Sequence, residues 1–362
     1  MTLRCSSQPL QYRMPMPMTT VVTTVLNDRE GCAQFLAEML QQTCKPGEIV
    51  VVDAGSRDGT WELLQAEAVA SWPWRLIALQ ERGCNIARGR NLAIKAASHE
   101  IIVSTDVGCH WAPEWLEELA APLFADPDCE AVMGSWKVRF EDQQTPWARA
   151  DPMLRSGLEL RATPTSCASS RAIAYRKDLW QRIGGYPEDL TLAADDLVFA
   201  MLLRRIARRV SAAPVPRCVW SRPQRFMSLV KEARRNFRGS AEAGLWLDYF
   251  VLVGGRIAAE WISFAGLIFA WSVGFPMDST ILAGLVVFLL FVWRLQSWLA
   301  FRRVIAGRGG TVALWRVAVL DYTTRLAAVR GFFDGLVYGA GHCQACRCRL
   351  RRVSIGWWQA SC

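Results

Sequence analysis

Short apolar runs alternate with amphipathic stretches over residues 19–212 of the chain. The first run, Thr19 to Leu26, is β-branched and short, which predicts a buried strand. Within residues 27–42, Phe35, Leu36, Met39 and Leu40 recur at helical spacing. Lys45-Pro46-Gly47 marks a turn, and Glu48 to Val52 is a second strand. The same alternation predicts helices over Thr60–Ala70 and Ile86–Ser98, and strands over Leu76–Leu79 and Ile101–Thr105. Strands that alternate with helices predict an α/β domain with a mostly parallel sheet. Beyond Asp106 the pattern loosens. It predicts helices over Pro113–Leu123, Lys177–Ile183 and Asp195–Ile206, and strands over Ala131–Phe140, Arg171–Tyr175 and Arg209–Ala212. Residues 141–166 read as a variable loop.

The last third of the chain has a different pattern. Residues 224–245 place Phe226, Leu229, Val230, Ala233 and Phe237 among Lys231, Arg234, Arg235 and Arg238, which predicts a basic amphipathic helix at a membrane interface. Within 246–301, two apolar segments follow, at about 257–275 and 280–301, each near the length that crosses a bilayer. Glu260 is the charge in the first; Arg294 in the second is expected to snorkel. Residues 311–340 are apolar but interrupted by Arg316, Asp321, Arg325, Arg330 and Asp334, so an interfacial helix is expected rather than a third span.

Composition sharpens this division. The chain has 362 residues, a net charge of +9 and 21% charged residues, which excludes disorder. From Phe301 onward there are ten arginines against two aspartates, so +8 of the +9 lies in the tail. A basic tail beside apolar spans suits an anionic membrane surface and disfavours nucleic acid as a partner. Arg302, Arg303 and Arg308 directly after the second span place the large domain and the tail (302–362) on the cytoplasmic side of the cell (inner) membrane. The stretch 1–18 lacks an apolar core and reads as a disordered leader. The twelve cysteines form no disulfide framework, so free thiols are expected. The cluster of Cys343, Cys346 and Cys348 is too crowded for a zinc finger and reads better as a lipidation site. Trp357-Trp358 beside Arg351-Arg352 reads as an interfacial anchor.

Candidate chemistry concentrates where strands end. Val50 to Thr60 (VVVDAGSRDGT) is a buried strand ending in a carboxylate, then a Gly/Ser loop that opens a helix. Ligands bind at that edge of a parallel sheet. The stretch has neither a P-loop nor the Gly-x-Gly-x-x-Gly of nicotinamide enzymes. Asp53 and Asp58 either contact a nucleotide or shape the turn and cap the helix; the stretch alone does not decide.

Asn27-Asp28, the Asp53 loop, Gly83-Cys84-Asn85 through Arg90-Asn91, Ser104-Thr105-Asp106, and Gly184-Gly185-Tyr186-Pro187 with Asp195-Asp196 follow in this order. The series resembles the family 2 glycosyltransferases, inverting enzymes of GT-A fold, over about residues 19–245. The resemblance implies a nucleotide-sugar donor, usually a UDP-sugar. Asn27, Asp28, Asp53, Asp58, Arg90 and Asn91 would then flank the donor. Asp106 would be the first acid of the metal motif, holding Mg²⁺ or Mn²⁺, and Asp196 the catalytic base. Asp195 would cap its helix. Two positions depart from the family pattern. Gly108 stands where the second metal-binding acid belongs, leaving His110 as either a substitute ligand or an exposed loop histidine, and the Glu-Asp pair is Asp195-Asp196. The Gln-x-x-Arg-Trp motif of processive synthases is absent, so one sugar per cycle is expected, with Arg235 and Arg238 available to phosphates.

The resulting expectation is a membrane-associated transferase of cell-envelope glycan or glycolipid biosynthesis, acting on a membrane lipid or lipid-linked glycan. Two alternatives stay open: a non-catalytic membrane protein on a degenerate scaffold, and a sugar nucleotidyltransferase. The second wants a Gly-rich basic loop after the first strand, where this chain has Asn27-Asp28-Arg29-Glu30.

Overall fold

The computed structural model describes residues 18–151, 154, 159–167, 169–247 and 249–356. All but Met18 of the expected leader, and the Trp357-Trp358 anchor, lie outside these residues.

Strands β1 (Thr19–Val25), β2 (Glu48–Asp53), β3 (Arg75–Gln80) and β4 (Ile101–Ser104) alternate with helices α1 (Arg29–Leu40), α2 (Thr60–Ala68) and α3 (Ile86–Ala96). β1 pairs with β2 and β4, and β2 with β3, all parallel. Successive strand residues divide between the two faces. Val22, Val50, Val52 and Ile102 enter one hydrophobic layer, and Val21, Ile49, Val51 and Val103 enter the other. The first layer is closed by α3, α5 (Lys177–Ile183) and α6 (Asp195–Ile206) through Ile94, Leu179 and Phe199. The second is closed by α1, α2 and α4 (Trp115–Ala125) through Leu36, Leu64 and Leu116.

The sheet is mixed, so the expectation of a mostly parallel one holds only for this half. β5 (Cys109–Trp111), β6 (Cys129–Lys137), β7 (Glu159–Leu160), β8 (Ile173–Arg176) and β9 (Arg209–Trp220) extend it in the order β3-β2-β1-β4-β8-β6-β9-β5, with β7 on β6. β8 follows a loop instead of a crossover helix, and it lies antiparallel between β4 and β6. β9 is much longer than the four residues expected. It runs on past Pro214 and Pro216, and the pairing with β6 steps from Gly134↔Ala213 to Trp136↔Cys218. Both prolines sit in that irregularity, where no ladder donor is required.

After β9 come α7 (Phe226–Ala243), α8 (Gly255–Ser272), α9 (Met277–Ala306), α10 (Leu314–His342) and α11 (Gln344–Arg352). Tyr249–Ser272, which includes α8, and α9 are both long and apolar enough to cross a membrane, and only 6% of each apolar window is buried. A core hairpin would be covered; here Trp261, Phe264 and Phe291 are more than half exposed. Arg294 does not snorkel. It is 3% exposed, ion-paired to Glu260 on α8 and to Asp321 on α10, the latter at 3.0 Å. Pairing removes the cost that snorkelling would otherwise relieve.

The tail is folded onto the domain, not laid out as a separate interfacial segment. α10 and α7 form the most extensive helix pairing of the chain. Gly331, Gly335 and Gly339 recur every fourth residue on α10, and a Cβ at each would collide with the backbone of Arg234, Arg238 and Glu242 respectively. Their lack of a side chain lets the two helix backbones touch. Tail arginines then serve local ends. Arg347 donates to the carbonyls of Ala241 and Glu242 at the C-terminus of α7, at 3.0 and 2.9 Å. Arg349 donates to the carbonyls of Gly184 and Gly185, at 2.8 Å each. Cys343 and Cys346 are buried in the core layer beside α6, which closes them to lipidation; Cys348 is exposed. Nine described cysteines are free thiols, but Cys167 is disulfide-bonded, against the expectation that all are free.

Candidate active site

Two groups of acids line the carboxyl ends of the central strands. The first belongs to the loops after β1 and β2. Asp53 is fully buried and accepts from Gly55 N at 3.1 Å, Ser56 N at 3.0 Å and Gln80 Nε2 at 2.9 Å, and from Ser56 Oγ. Asp58 accepts from Arg29 N at 3.1 Å and from Thr60 N at 3.1 Å. The Thr60 hydroxyl bond, more than the backbone ones, holds its pKa below the ordinary carboxylate value. Asn27 takes φ +53° and accepts from Arg57 N at 2.9 Å, tying the two loops together. Asp28 caps α1 through Gly31 N at 3.0 Å. These side chains are engaged by backbone donors of the two loops, within each and across them.

The second group surrounds an open cleft of about 840 Å³ lined by Arg90, Asp106, Gly108, Arg171, Asp195, Asp196, Trp220, Lys231, Glu232 and Arg235. At its floor, Arg90 is 4% exposed and bridges two acids, with Nη2 on Asp106 Oδ1 and Nη1 on Asp195 Oδ2, both at 2.5 Å. Burial opposes the charge on Arg90, yet the two carboxylates hold its pKa above the usual guanidinium value. Burial likewise acts to raise Asp106, but Arg90 and Arg171 win and keep it below its ordinary value. For Asp195 burial prevails against Arg90, and the carboxyl is pushed up to about 6. Asp195 therefore is not a cap. Ala194 holds the N-cap position with φ +68°, and the Asp195 carboxylate turns inward to Arg90. Asp196 remains on the cleft wall, accepting from Ser169 Oγ at 2.7 Å.

A model of the glycosyl transferase family 2 matches residues 20–184. Residues 20–184 thus carry a family 2 glycosyltransferase domain. It is 24% identical over 182 residues to glycosyltransferase AglE of Haloferax volcanii, covering 50% of this chain and 59% of that protein. It is 23% identical over 206 residues to the O-antigen chain rhamnosyltransferase RfbN of Salmonella typhimurium, covering 52% and 62%. The matched part thus spans about three-fifths of the length of these curated relatives. A mannosyltransferase of Pyrobaculum calidifontis, solved with GDP-Man and Mn²⁺, superposes with a TM-score of 0.49 at 21% identity over 92% of this chain and 90% of that one. The fold is of the GT-A type.

Several expected site residues of the transferase domain lie elsewhere. His110 cannot stand in for the acid missing at 108. It turns away from the cleft to Glu38, 2.9 Å from Oε1, because β5 pairs with β9 and carries it to the opposite flank. Asn91 is 7% exposed and bracketed to the Gly-Gly-Tyr-Pro turn: it donates to Tyr186 O (3.0 Å) and Glu188 (2.8 Å), and accepts from Trp180 Nε1 (3.0 Å) and Tyr186 N (2.8 Å). Its amide therefore has no capacity left for a donor. Arg238 is engaged by Glu242 at 2.7 Å, and Arg235, one turn earlier, reaches the cleft instead. The basic face of α7 is thus turned largely inward. Lys231 and Arg235 line the cleft, and Arg234 pairs with Asp334 at 2.5 Å on α10.

Ser169 and Arg171 were not singled out from sequence. The Arg171 guanidinium lies over the Trp220 ring at 3.9 Å, and its carbonyl accepts from Thr105 Oγ1 at 2.8 Å, beside Asp106. A charged residue two positions before β8 was the available signal, but nothing in the sequence pairs β8 with β4.

The implied Mg²⁺ or Mn²⁺ finds little to hold it. Asp106 is the one acid of Asp106-Val107-Gly108, and Arg90 already occupies it. Gly108 has φ +87°, a conformation that disfavours an acid there. Among the described residues no three His, Cys, Asp or Glu side chains form a metal-binding group. This donor set does not fit a protein-built divalent site.

Proposed function

We propose that the cleft transfers one sugar, with inversion, from a nucleoside-diphosphate sugar to a hydroxyl of a membrane lipid or lipid-linked glycan. One observation carries the chemistry. Of the four cleft acids, Asp106 and Asp195 share Arg90, and Glu232 pairs with Arg222 at 2.8 Å. Asp196 is the one without an ion pair among the described residues, and Ser169 orients it. A weakly nucleophilic hydroxyl needs a carboxylate that is free to take its proton. In the proposed step the acceptor oxygen bonds to the anomeric carbon as the carbon–phosphate oxygen bond breaks. The acceptor proton passes to Asp196, and the electron pair leaves with the diphosphate. The β1 and β2 loops, with Asp53 at their centre, are the proposed cradle for the nucleoside, a UDP-sugar being the expected donor.

A second cavity of about 420 Å³ supports the membrane acceptor. It adjoins the cleft through Arg222, Glu232 and Asn236, and is walled by Trp298 and Phe301 of α9 and Asp321 of α10. An acceptor held beside the two apolar helices would reach Asp196 from that side. The exposed Arg302, Arg303 and Arg308 after α9 support a cytoplasmic cleft at the inner membrane, against anionic lipid. The O-antigen role in the name of RfbN supports a place in cell-envelope glycan synthesis.

The test uses the full chain in lipid vesicles. UDP- and GDP-sugars are screened by thermal shift, since a bound donor raises the melting temperature. The stabilising donor is then offered with a lipid extract or with soluble glycans. Labelled sugar is expected in the lipid fraction. Transfer to soluble glycans alone would overturn the acceptor class. The absence of both transfer and donor hydrolysis would favour the non-catalytic reading that Gly108 motivates.

A further inference from the structure

We infer that arginine takes the place of the divalent metal in this transferase: Arg90 neutralises the acid that would bind it, and Arg171 and Arg235 carry the charge of the leaving diphosphate. The inference rests on the transferase reading above and concerns how its leaving group departs.

The position a cation would take is filled by protein. Arg90 meets Asp106 and Asp195 at 2.5 Å each, with its guanidinium 5.4 Å from the Tyr186 ring centroid and its side chain 5% exposed. Two carboxylates that share a buried guanidinium keep a net charge of −1, half that of the unpaired acids, and each has an oxygen engaged, so they offer less to a second cation. A divalent ion drawing on both carboxylates would have to compete with two charge-assisted bonds.

The charge of a departing diphosphate still needs a partner. Arg171, Lys231 and Arg235 line the same cleft, and none of them has an ion-pair partner among the described residues. Arg171 and Arg235 both act electrostatically on Asp106, which places them around the same point. Arg171 Nε is buried and has no hydrogen-bond partner among the described residues. A buried donor without an acceptor is costly unless a ligand supplies one. The Trp220 ring at 3.9 Å and Trp136 at 5.6 Å hold that guanidinium in place. A planar guanidinium binds phosphate oxygens through two parallel bonds, so a pair of them could carry the leaving charge as ion pairs, with no proton supplied.

The test measures binding, so it does not depend on knowing the acceptor. Full-length protein is stripped with EDTA, and UDP and GDP binding are measured by calorimetry with and without Mn²⁺. Free Mn²⁺ is followed in parallel by electron paramagnetic resonance. In the wild type, nucleotide affinity is expected to change by less than about twofold on adding Mn²⁺, with the Mn²⁺ signal unreduced. Arg171→Gln should weaken the nucleotide by about tenfold or more, the worth of a hydrogen bond to a charged group. Arg90→Met should gain Mn²⁺ binding, because Asp106 and Asp195 lose their shared counter-ion. If that variant does not fold, the wild-type and Arg171→Gln measurements decide. Nucleotide binding that requires Mn²⁺ in the wild type overturns the inference and leaves the transferase reading intact. No binding of either nucleotide under any condition overturns both.

Discussion

The two groups of acids differ in what meets them. Around Asp53, carboxylates face backbone N–H groups, hydroxyls and the Gln80 amide, all neutral donors supplied by the β1 and β2 loops and the end of β3. Around Arg90, carboxylates face guanidiniums brought from other parts of the chain, with 16 residues to Asp106 and 105 to Asp195. The first arrangement makes a rigid loop, and the second makes a charged cleft with one acid left unpaired. Motif spacing alone does not separate these cases, because both place an aspartate at the carboxyl end of a strand.

Substitution should separate them. Asp196→Asn should lower kcat by about 10²–10⁴-fold, the usual worth of a general base, with donor affinity and melting temperature nearly unchanged. Asp53→Ala should show the opposite profile. It strips the acceptor from several buried donors, so it should cost about 3 kcal/mol in urea unfolding and weaken donor affinity as the cradle loosens, with kcat per folded molecule nearly unchanged. A large kcat loss in a fully folded Asp53→Ala protein would erase the distinction.

Gly335→Val tests the support behind the cleft, since α10 holds α7 and thereby Lys231 and Arg235. Overpacking at that backbone contact should cost about 1–3 kcal/mol and loosen α7, seen as faster amide exchange over 226–243.

A smaller effect concerns pH. Burial pushes Asp195 up to about 6 in the folded protein, against an ordinary carboxyl value of 3.8. The native state therefore holds more protons between those values, and this group lowers stability as pH rises through them. Glu130 acts in the opposite direction: Arg182 and Arg208 overcome its burial and hold it down to about 2, so it adds stability as pH rises from there towards 4.5. Subtracting the urea midpoints of Asp195→Asn from those of the wild type between pH 4 and 6 isolates the Asp195 slope. His110→Ala should do least, within about 0.5 kcal/mol and with kcat unchanged, because the side chain lies outside the cleft.

The parts legible in the sequence were those written contiguously. The Val50–Thr60 stretch carries its own strand, turn and helix start, and the β1–β4 alternation gave the parallel half of the sheet. Asp196 was reachable because its helix follows the Gly-Gly-Tyr-Pro turn. Ser169 and Arg171 were not, because the segment leading into an inserted antiparallel strand brings Ser169 to Asp196 and Arg171 to Thr105, next to Asp106. Arg90 read as a donor contact because nothing local shows that Asp195 turns inward to meet it. The packing of the tail was missed for a related reason. Ten arginines read as a membrane surface, whereas the Gly331, Gly335, Gly339 spacing signalled close helix packing and went unused.

The central claim is that Asp196 acts as a base in a single displacement, not as a nucleophile in a double one. The anomeric configuration of the product made by the wild-type protein, read by NMR before any equilibration, tests it most directly. A glycoside of configuration opposite to that of the donor is expected. A product that keeps the donor's configuration would contradict the role assigned to Asp196 and the reading of the cleft built on it.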